Sequence, residues 1–349
     1  MILCQSRSLP DDQVDFGTHE VSVRRSQFEH ERFPVVRLAI IIVNYQTAQL
    51  TLDAVHSVHG QIHPEDRIFV VDAASPDDSA VVLSSALEQM ENVEFLPLKV
   101  NGGFSFANNV AIRRSLSSER PPERILLLNP DTVARESAIE TLVSFLDAHP
   151  NVGLVGSRLE NPDGTTQLAA KRFHSFFSEL DDALHFGPVT SILRRWVIAF
   201  PEESLPHQTD WVPGAALMIR REVFETIGLF DEGYFLYFEE VDFCLRAKSA
   251  GFPCWYIPQS RIVHFVGQAT GVTSLKPRRR PRYWFESRAR FWLTHYGRIN
   301  KLTCDLAWTF GRMLFLLRCI LQRKQNPFPP HLLSDFVRFN FCSWDAWKR

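Results

Sequence analysis

Apolar and polar positions follow two different rhythms along these 349 residues. Met1 to Pro34 is polar, mixed in charge and without a sustained period, which predicts a loosely attached leader over 1–34. From Val35 the pattern changes. Val35 to Val43 is a nearly unbroken apolar run, as expected of a strand buried on both faces; Asn44-Tyr45 ends it, and Leu50, Ala54, Val55 and Val58 follow at helical spacing. The unit repeats as strand Arg67 to Val71, loop Asp72 to Ser79 and helix Val81 to Met90. Strand Asn92 to Leu96 precedes a turn at Asn101-Gly-Gly and a helix reaching Leu116, and strand Ile125 to Leu128 precedes a helix over Glu136 to Ala148. Val152 to Gly156 is a further strand. Such alternation predicts an α/β fold with a doubly wound, mostly parallel sheet that binds a nucleotide at the carboxyl ends of its strands.

Beyond Gly156 the rhythm is less regular. Asn161-Pro-Asp-Gly164 predicts a hairpin tip, Trp211 to Ile219 a strand, and Arg221 to Ile227 a short helix stopped by Gly228. Phe173 to Phe200 is aromatic and partly helical, with no element the pattern fixes. Phe230 to Arg246 is aromatic and acidic together, and Val241, Cys244, Leu245 and Lys248 have helical spacing. Glu239 and Glu240 therefore fall at a helix N-terminus, whose dipole favours carboxylates. Phe252 to Ile257 and Arg261 to Phe265 read as two strands, with His264 closing the second. Tyr283 to Tyr296 reads as an arginine-rich helix. Leu302 to Leu321 is the most apolar stretch, interrupted by Asp305, Arg312 and Arg318; it predicts an amphipathic helix lying on a membrane, on its own domain or on a second subunit. The expected organisation is a leader (1–34), a main domain (35–270, divided into 35–156 and 157–270) and a basic, helical C-terminal extension (271–349).

Composition narrows the function. With 45% hydrophobic and 22% charged residues the chain matches a soluble globular protein, and a net charge of -2 argues against a nucleic-acid partner. The local exception, Lys276 to Arg282, suits an anionic lipid surface or a lipid diphosphate better. The six cysteines lie far apart without a C-x-x-C pair, which fits the cytosol. Asp131, in Asn129-Pro130-Asp131-Thr132 at the end of a buried strand, has two readings. It holds a metal-bound phosphate, or it or Thr132 caps the next helix.

The ordered motifs IIIVNY, VVDAASPDDS, NGGFSFANN, LLLNPDT, WVPGAALMIRR, GLFDEGYFLYFEEVDFCLR and HFVG resemble the family 2 glycosyltransferases with the GT-A fold, in their rhamnosyltransferase-like branch. The resemblance covers Arg37 to Gly267. It implies a Rossmann-like nucleotide-sugar half and an acceptor half, and an inverting enzyme moving a sugar, L-rhamnose from dTDP-rhamnose or another from a UDP-sugar. The implied acceptor is a glycan or a polyprenyl-diphosphate-linked glycan of the cell surface. The work would be done in the cytoplasm, at or near the inner face of the plasma membrane. Asn44, Asp72, Asn101, Asn109, Asn129 and Asp131 match the donor side, with Asp72 where the nucleobase is held. Asp131 and His264 match ligands of Mg²⁺ or Mn²⁺. Trp211, Gly214 and Glu239 match the acceptor side, and Glu240 the catalytic base. Three departures stand out: Asn129 where Asp-x-Asp has its first acid, Ala73 where asparagine is usual, and Glu240 where the family base is aspartate. They leave room for a second reading, a non-catalytic nucleotide-sugar-binding relative. The sequence leaves the oligomeric state open.

Overall fold

Alternate side chains of one central strand divide the interior into two cores. The computed structural model describes residues 37–201, 203–265, 267 and 278–343. The expected leader, Val266 and the start of the basic run at Lys276 lie outside the described residues. The first half holds β1 (Leu38–Asn44), α1 (Ala48–His59), β2 (Arg67–Asp72), α2 (Ser79–Leu87), β3 (Val93–Pro97), α3 (Phe104–Leu116), β4 (Arg124–Leu128), β5 (Thr132–Ala134), α4 (Ala138–Ala148) and β6 (Leu154–Glu160). The second half holds β7 (Thr166–Gln167), α5 (Phe176–Leu184), α6 (Gly187–Ile192), β8 (His207–Thr209), β9 (Ala216–Arg220), α7 (Arg221–Ile227), α8 (Glu239–Ser249) and β10 (Cys254–His264). Then come α9 (Arg282–His295), α10 (Gly297–Leu321) and α11 (Leu332–Phe341).

Leu38, Ile40 and Ile42 of β1 pack with Leu52 and Val55 of α1 and Leu142 of α4. Ala39, Ile41 and Val43 face the other way, onto Ala107 and Ile112 of α3 and Val241 and Phe243 of α8. Burial on both faces is why β1 and β4 lack a polar alternation. The sheet order is β3-β2-β1-β4-β9-β6-β10-β5. The first four strands are parallel, β9 is antiparallel between β4 and β6, and β10 is parallel to β6. The strand order reverses between β1 and β4, the switch point where such sheets take ligands.

Several elements differ from the sequence reading. The helix expected from Glu136 starts at Ala138, and β5 comes before it, so neither Asp131 nor Thr132 caps that helix. β5 exists through its antiparallel pairing with β10, His264 opposite Thr132. The two strands expected over 252–265 are one, β10, with an irregularity between Ile257 and Arg261. Pro258 cannot donate to the ladder there, so the strand bulges instead of ending. The strand expected from Trp211 begins only at Ala216.

Candidate active site

Because β1, β2, β4, β6 and β10 run the same way, Asn44, Asp72, Asp131 and His264 all lie along the end of the sheet where those strands finish, Asn44 with Asp72 and Asp131 with His264. β9 runs against them, so Gly214, just before it, lies at that end as well. Asn44 and Asp72 are paired across β1 and β2, and Asn44 Nδ2 donates to Asp72 Oδ1 at 2.7 Å. The Ser75 hydroxyl and N–H donate to the same carboxylate at 2.6 and 3.0 Å. A carboxylate offers about four acceptor positions, so Asp72 keeps room for one further donor. Asn44 does not: its Oδ1 takes Thr47 N–H and Oγ1, both at 3.1 Å, and Thr51 Oγ1 at 2.9 Å. Contrary to expectation, its amide is a buried brace that orients Asp72.

The glycine turn is held from the far side of the chain. Gly103 adopts φ +89°, and a Cβ there would collide with the Phe235 carbonyl, to which Phe104 N–H donates at 2.7 Å. Glycine is required at this approach. Asn101 is exposed and accepts Gly103 N–H at 3.0 Å through Oδ1, so its Nδ2 points to solvent. Asn109 differs from the expectation of a donor contact. It is fully buried, gives Nδ2 to Phe230 O at 2.8 Å and Glu232 Oε1 at 2.9 Å, and accepts Phe230 N–H at 3.1 Å. It ties α3 to the loop that leads into Glu239 and Glu240 at the start of α8.

Asn129 N–H donates to Ala215 O at 3.0 Å, joining the Asn-Pro-Asp turn to the loop before β9. Asp131 O accepts Phe265 N–H at 2.9 Å, and His264 Nε2 lies 3.5 Å from Asp131 Oδ1. The residue the sequence does not disclose is Gln167. Its Nε2 donates to Asn161 Oδ1 at 2.9 Å and to the His264 carbonyl at 2.8 Å, which leaves its Oε1 facing His264 Nδ1 at 3.1 Å. With Gln167 Oε1 as its acceptor Nδ1 is a donor, which turns Nε2 toward Asp131. Imidazole nitrogen and carboxylate oxygen facing each other this way fit a small divalent cation, with the outer nitrogen held as metal-ligating histidines usually are. Among the described residues no group of three or more His, Cys, Asp or Glu side chains forms, so further ligands would be donor phosphate oxygens or water.

Glu239 and Glu240 begin α8, and backbone N–H groups of its first turn favour their charged forms. Burial dominates all the same. It pushes Glu240 up to about 7 against the opposing Lys171 charge. Burial and the neighbouring Glu240 raise Glu239 well above the usual range. No hydrogen bond engages Oε2 of either residue. Asp242 one turn on is structural: Arg246 Nε at 2.8 Å and His295 Nε2 at 2.7 Å hold it. Trp211 is 8% exposed, donates its indole N–H to Arg172 O at 2.9 Å and stacks on His174, while Lys171 Nζ sits 5.7 Å from its ring. It packs as a wall of this region more than as an open platform. Gly214 lies against the Phe104 ring, at van der Waals distance from where its Cβ would be. A cavity of 600 Å³ opens at the opposite edge of the sheet, by Arg67, Glu94 and Arg114, away from all of these groups.

Residues 39–228 match the family model of Glycosyl transferase family 2, more than half of the chain. The chain belongs to this family. This glycosyltransferase is 27% identical over 213 residues to the N-acetylglucosaminyl-diphospho-decaprenol L-rhamnosyltransferase of Mycobacterium tuberculosis, a match covering 58% of this chain and 68% of that one. It is also 27% identical to the dTDP-rhamnosyl transferase RfbF of Shigella flexneri, over 53% of this chain and 56% of the relative. In fold the glycosyltransferase is similar to the mannosyltransferase PcManGT of Pyrobaculum calidifontis, solved with GDP-Man and Mn²⁺. The TM-score is 0.51 at 16% identity, covering 90% of this chain and 82% of that one. The expected GT-A architecture is thus present, with the C-terminal helices appended to it.

Proposed function

We propose that this protein is an inverting, metal-dependent glycosyltransferase that moves L-rhamnose from dTDP-rhamnose, or another sugar from a UDP-sugar, onto a glycan or polyprenyl-diphosphate-linked acceptor in the cytoplasm. The observation that carries the reading is Glu240: a partly buried carboxyl at a helix N-terminus, its proton held with a pKa near 7, where a general base works best. In the ionised form Glu240 takes the proton of the acceptor hydroxyl as that oxygen attacks the anomeric carbon. Burial and Glu240 push the Glu239 carboxyl up, which favours the protonated form that offers the acceptor a donor. Asp72 positions the nucleobase, and Asp131 and His264 hold the cation. A bound Mg²⁺ or Mn²⁺ supplies charge stabilisation to the nucleoside diphosphate leaving group.

The names of the rhamnosyltransferase relatives support the donor, and they favour a lipid-linked acceptor. Incubation of the purified protein with Mn²⁺, dTDP-rhamnose and a short lipid-diphosphate acceptor tests the reading by product mass. The second reading, a non-catalytic relative, draws on Glu240, Asn129 and Ala73. Saturable donor binding without turnover across dTDP-, UDP- and GDP-sugars would select it.

A further inference from the structure

The apolar stretch near the C-terminus is turned inside out. On α10 three charged residues are buried: Lys301 and Asp305 are fully covered, and Arg312 is 2% exposed, while Arg298 at its start is exposed. Arg288 of α9 explains this, since it donates to Asp305 at 2.6 Å and to Glu179 of α5 at 2.7 Å, while Lys301 reaches Asp305 at 2.6 Å. Ion pairs thus satisfy Lys301 and Asp305 on the inward face, where Arg312 lies over the rings of Trp308, Phe315 and Phe328, and the apolar face is left outside. Ile299, Leu306, Phe310, Leu317 and Ile320 recur at steps of seven, four, seven and three along one side, Leu321 ends the row, and all are exposed, Ile299 by 79% and Ile320 by 73%. At about 1.5 Å of rise per residue the stripe is roughly 33 Å long. No charged side chain interrupts it. The whole helix still falls short of the apolar length and content that crossing a membrane requires.

We propose that this outward face of α10 lies flat in the interfacial layer of an anionic phospholipid bilayer. Charge selects this occupant. Between residues 278 and 343 there are thirteen Lys or Arg against three Asp or Glu, in a chain whose net charge is -2; Arg288, Lys301 and Arg312 among them are buried, and Arg290 is paired with Asp231, which leaves the basic surface at the ends of the stripe. Exposed Arg298 stands at one end of the stripe, and exposed Arg323 and Lys324 at the other. An apolar face flanked by cations is the pattern of an interfacial helix, in which lipid phosphates meet the basic ends while the side chains enter the acyl boundary. A second copy of the chain would instead bring two strongly basic extensions together. The proposal rests on α10 and the basic residues beside it and stands apart from the reading of the transfer site.

Flotation of the full-length protein with vesicles of phosphatidylcholine, and of phosphatidylcholine mixed with phosphatidylglycerol, tests it. The wild type floats with the mixed vesicles and much less with the neutral ones. Phe310→Glu/Leu317→Glu, which alters exposed positions and leaves the thermal melt in place, lowers the partition coefficient more than about tenfold. Arg323→Glu/Lys324→Glu lowers it on mixed vesicles only. Transfer to a water-soluble acceptor stays at the wild-type level in both variants, so vesicle binding and catalysis fail independently. Wild-type protein that does not float with either vesicle, or a Phe310→Glu/Leu317→Glu variant that floats as well as wild type, overturns the proposal. So does a solution dimer, seen by light scattering, that the same apolar-face variant splits into monomers.

Discussion

Gln167 holds His264 at two points, its Oε1 3.1 Å from Nδ1 and its Nε2 2.8 Å from the carbonyl oxygen. This grip sets which imidazole nitrogen faces Asp131. Gln167→Leu should leave the fold intact and reduce Mn²⁺ affinity about 10–100-fold. Titration of activity against Mn²⁺ checks this: the half-saturating concentration rises, while the rate at saturating metal falls less.

Glu240 sets the pH dependence. Its carboxyl must be ionised to act as a base, so kcat/KM should rise with pH through about 7 and level off above it. Lys171 opposes the effect of burial on Glu240, so Lys171→Met should move that limb to higher pH. A pH–rate profile of both proteins decides it, and an unmoved limb removes Lys171 from the account.

The ion cluster under α10 should govern acid stability. Burial pushes the Glu179 carboxyl up, but Arg288 and His174 outweigh it and hold it at about 2, below its ordinary 4.5. A depressed folded pKa gives stability that is present above the unfolded value and lost as pH falls through the folded one. Glu179 should therefore steepen the loss of stability between those two values. Glu179→Gln should destabilise by about 3 kcal/mol at neutral pH, because Arg288 stays buried with only part of its charge met. Denaturant melts at pH 7 and pH 3 measure both effects, and the difference between wild type and variant should shrink at the lower pH.

Gly103→Ala should lower stability by about 1–3 kcal/mol and loosen the 230–238 loop, since the left-handed backbone and the Phe235 carbonyl leave no place for a methyl group. A lower melting temperature together with a raised KM for the donor is the expected result.

The strands β1, β2 and β4 are legible in the sequence because burial on both faces writes them as consecutive apolar residues, each ended by a polar one. The N-terminal placement of Glu239 and Glu240 on α8 follows from the helical spacing behind them. β5 is not legible: a three-residue strand exists only through its partner, and that partner lies far along the chain. Gln167 is hidden for the same reason, since it acts across 97 residues of sequence. Asn44 and Asn109 carry residue types suited to a donor contact, and only the folded structure reveals that their amides are engaged within the fold. α10 misleads because charged residues in an apolar helix read as its wet side, whereas Arg288 and Glu179 draw them inward.

The most direct test of the whole account is Glu240→Gln, assayed side by side for donor binding and for transfer. Isothermal titration with the donor and Mn²⁺ should give wild-type affinity, while single-turnover transfer should fall about 10²- to 10⁴-fold, the usual contribution of a general base. Transfer at the wild-type rate would contradict the assignment of Glu240 and the mechanism built on it.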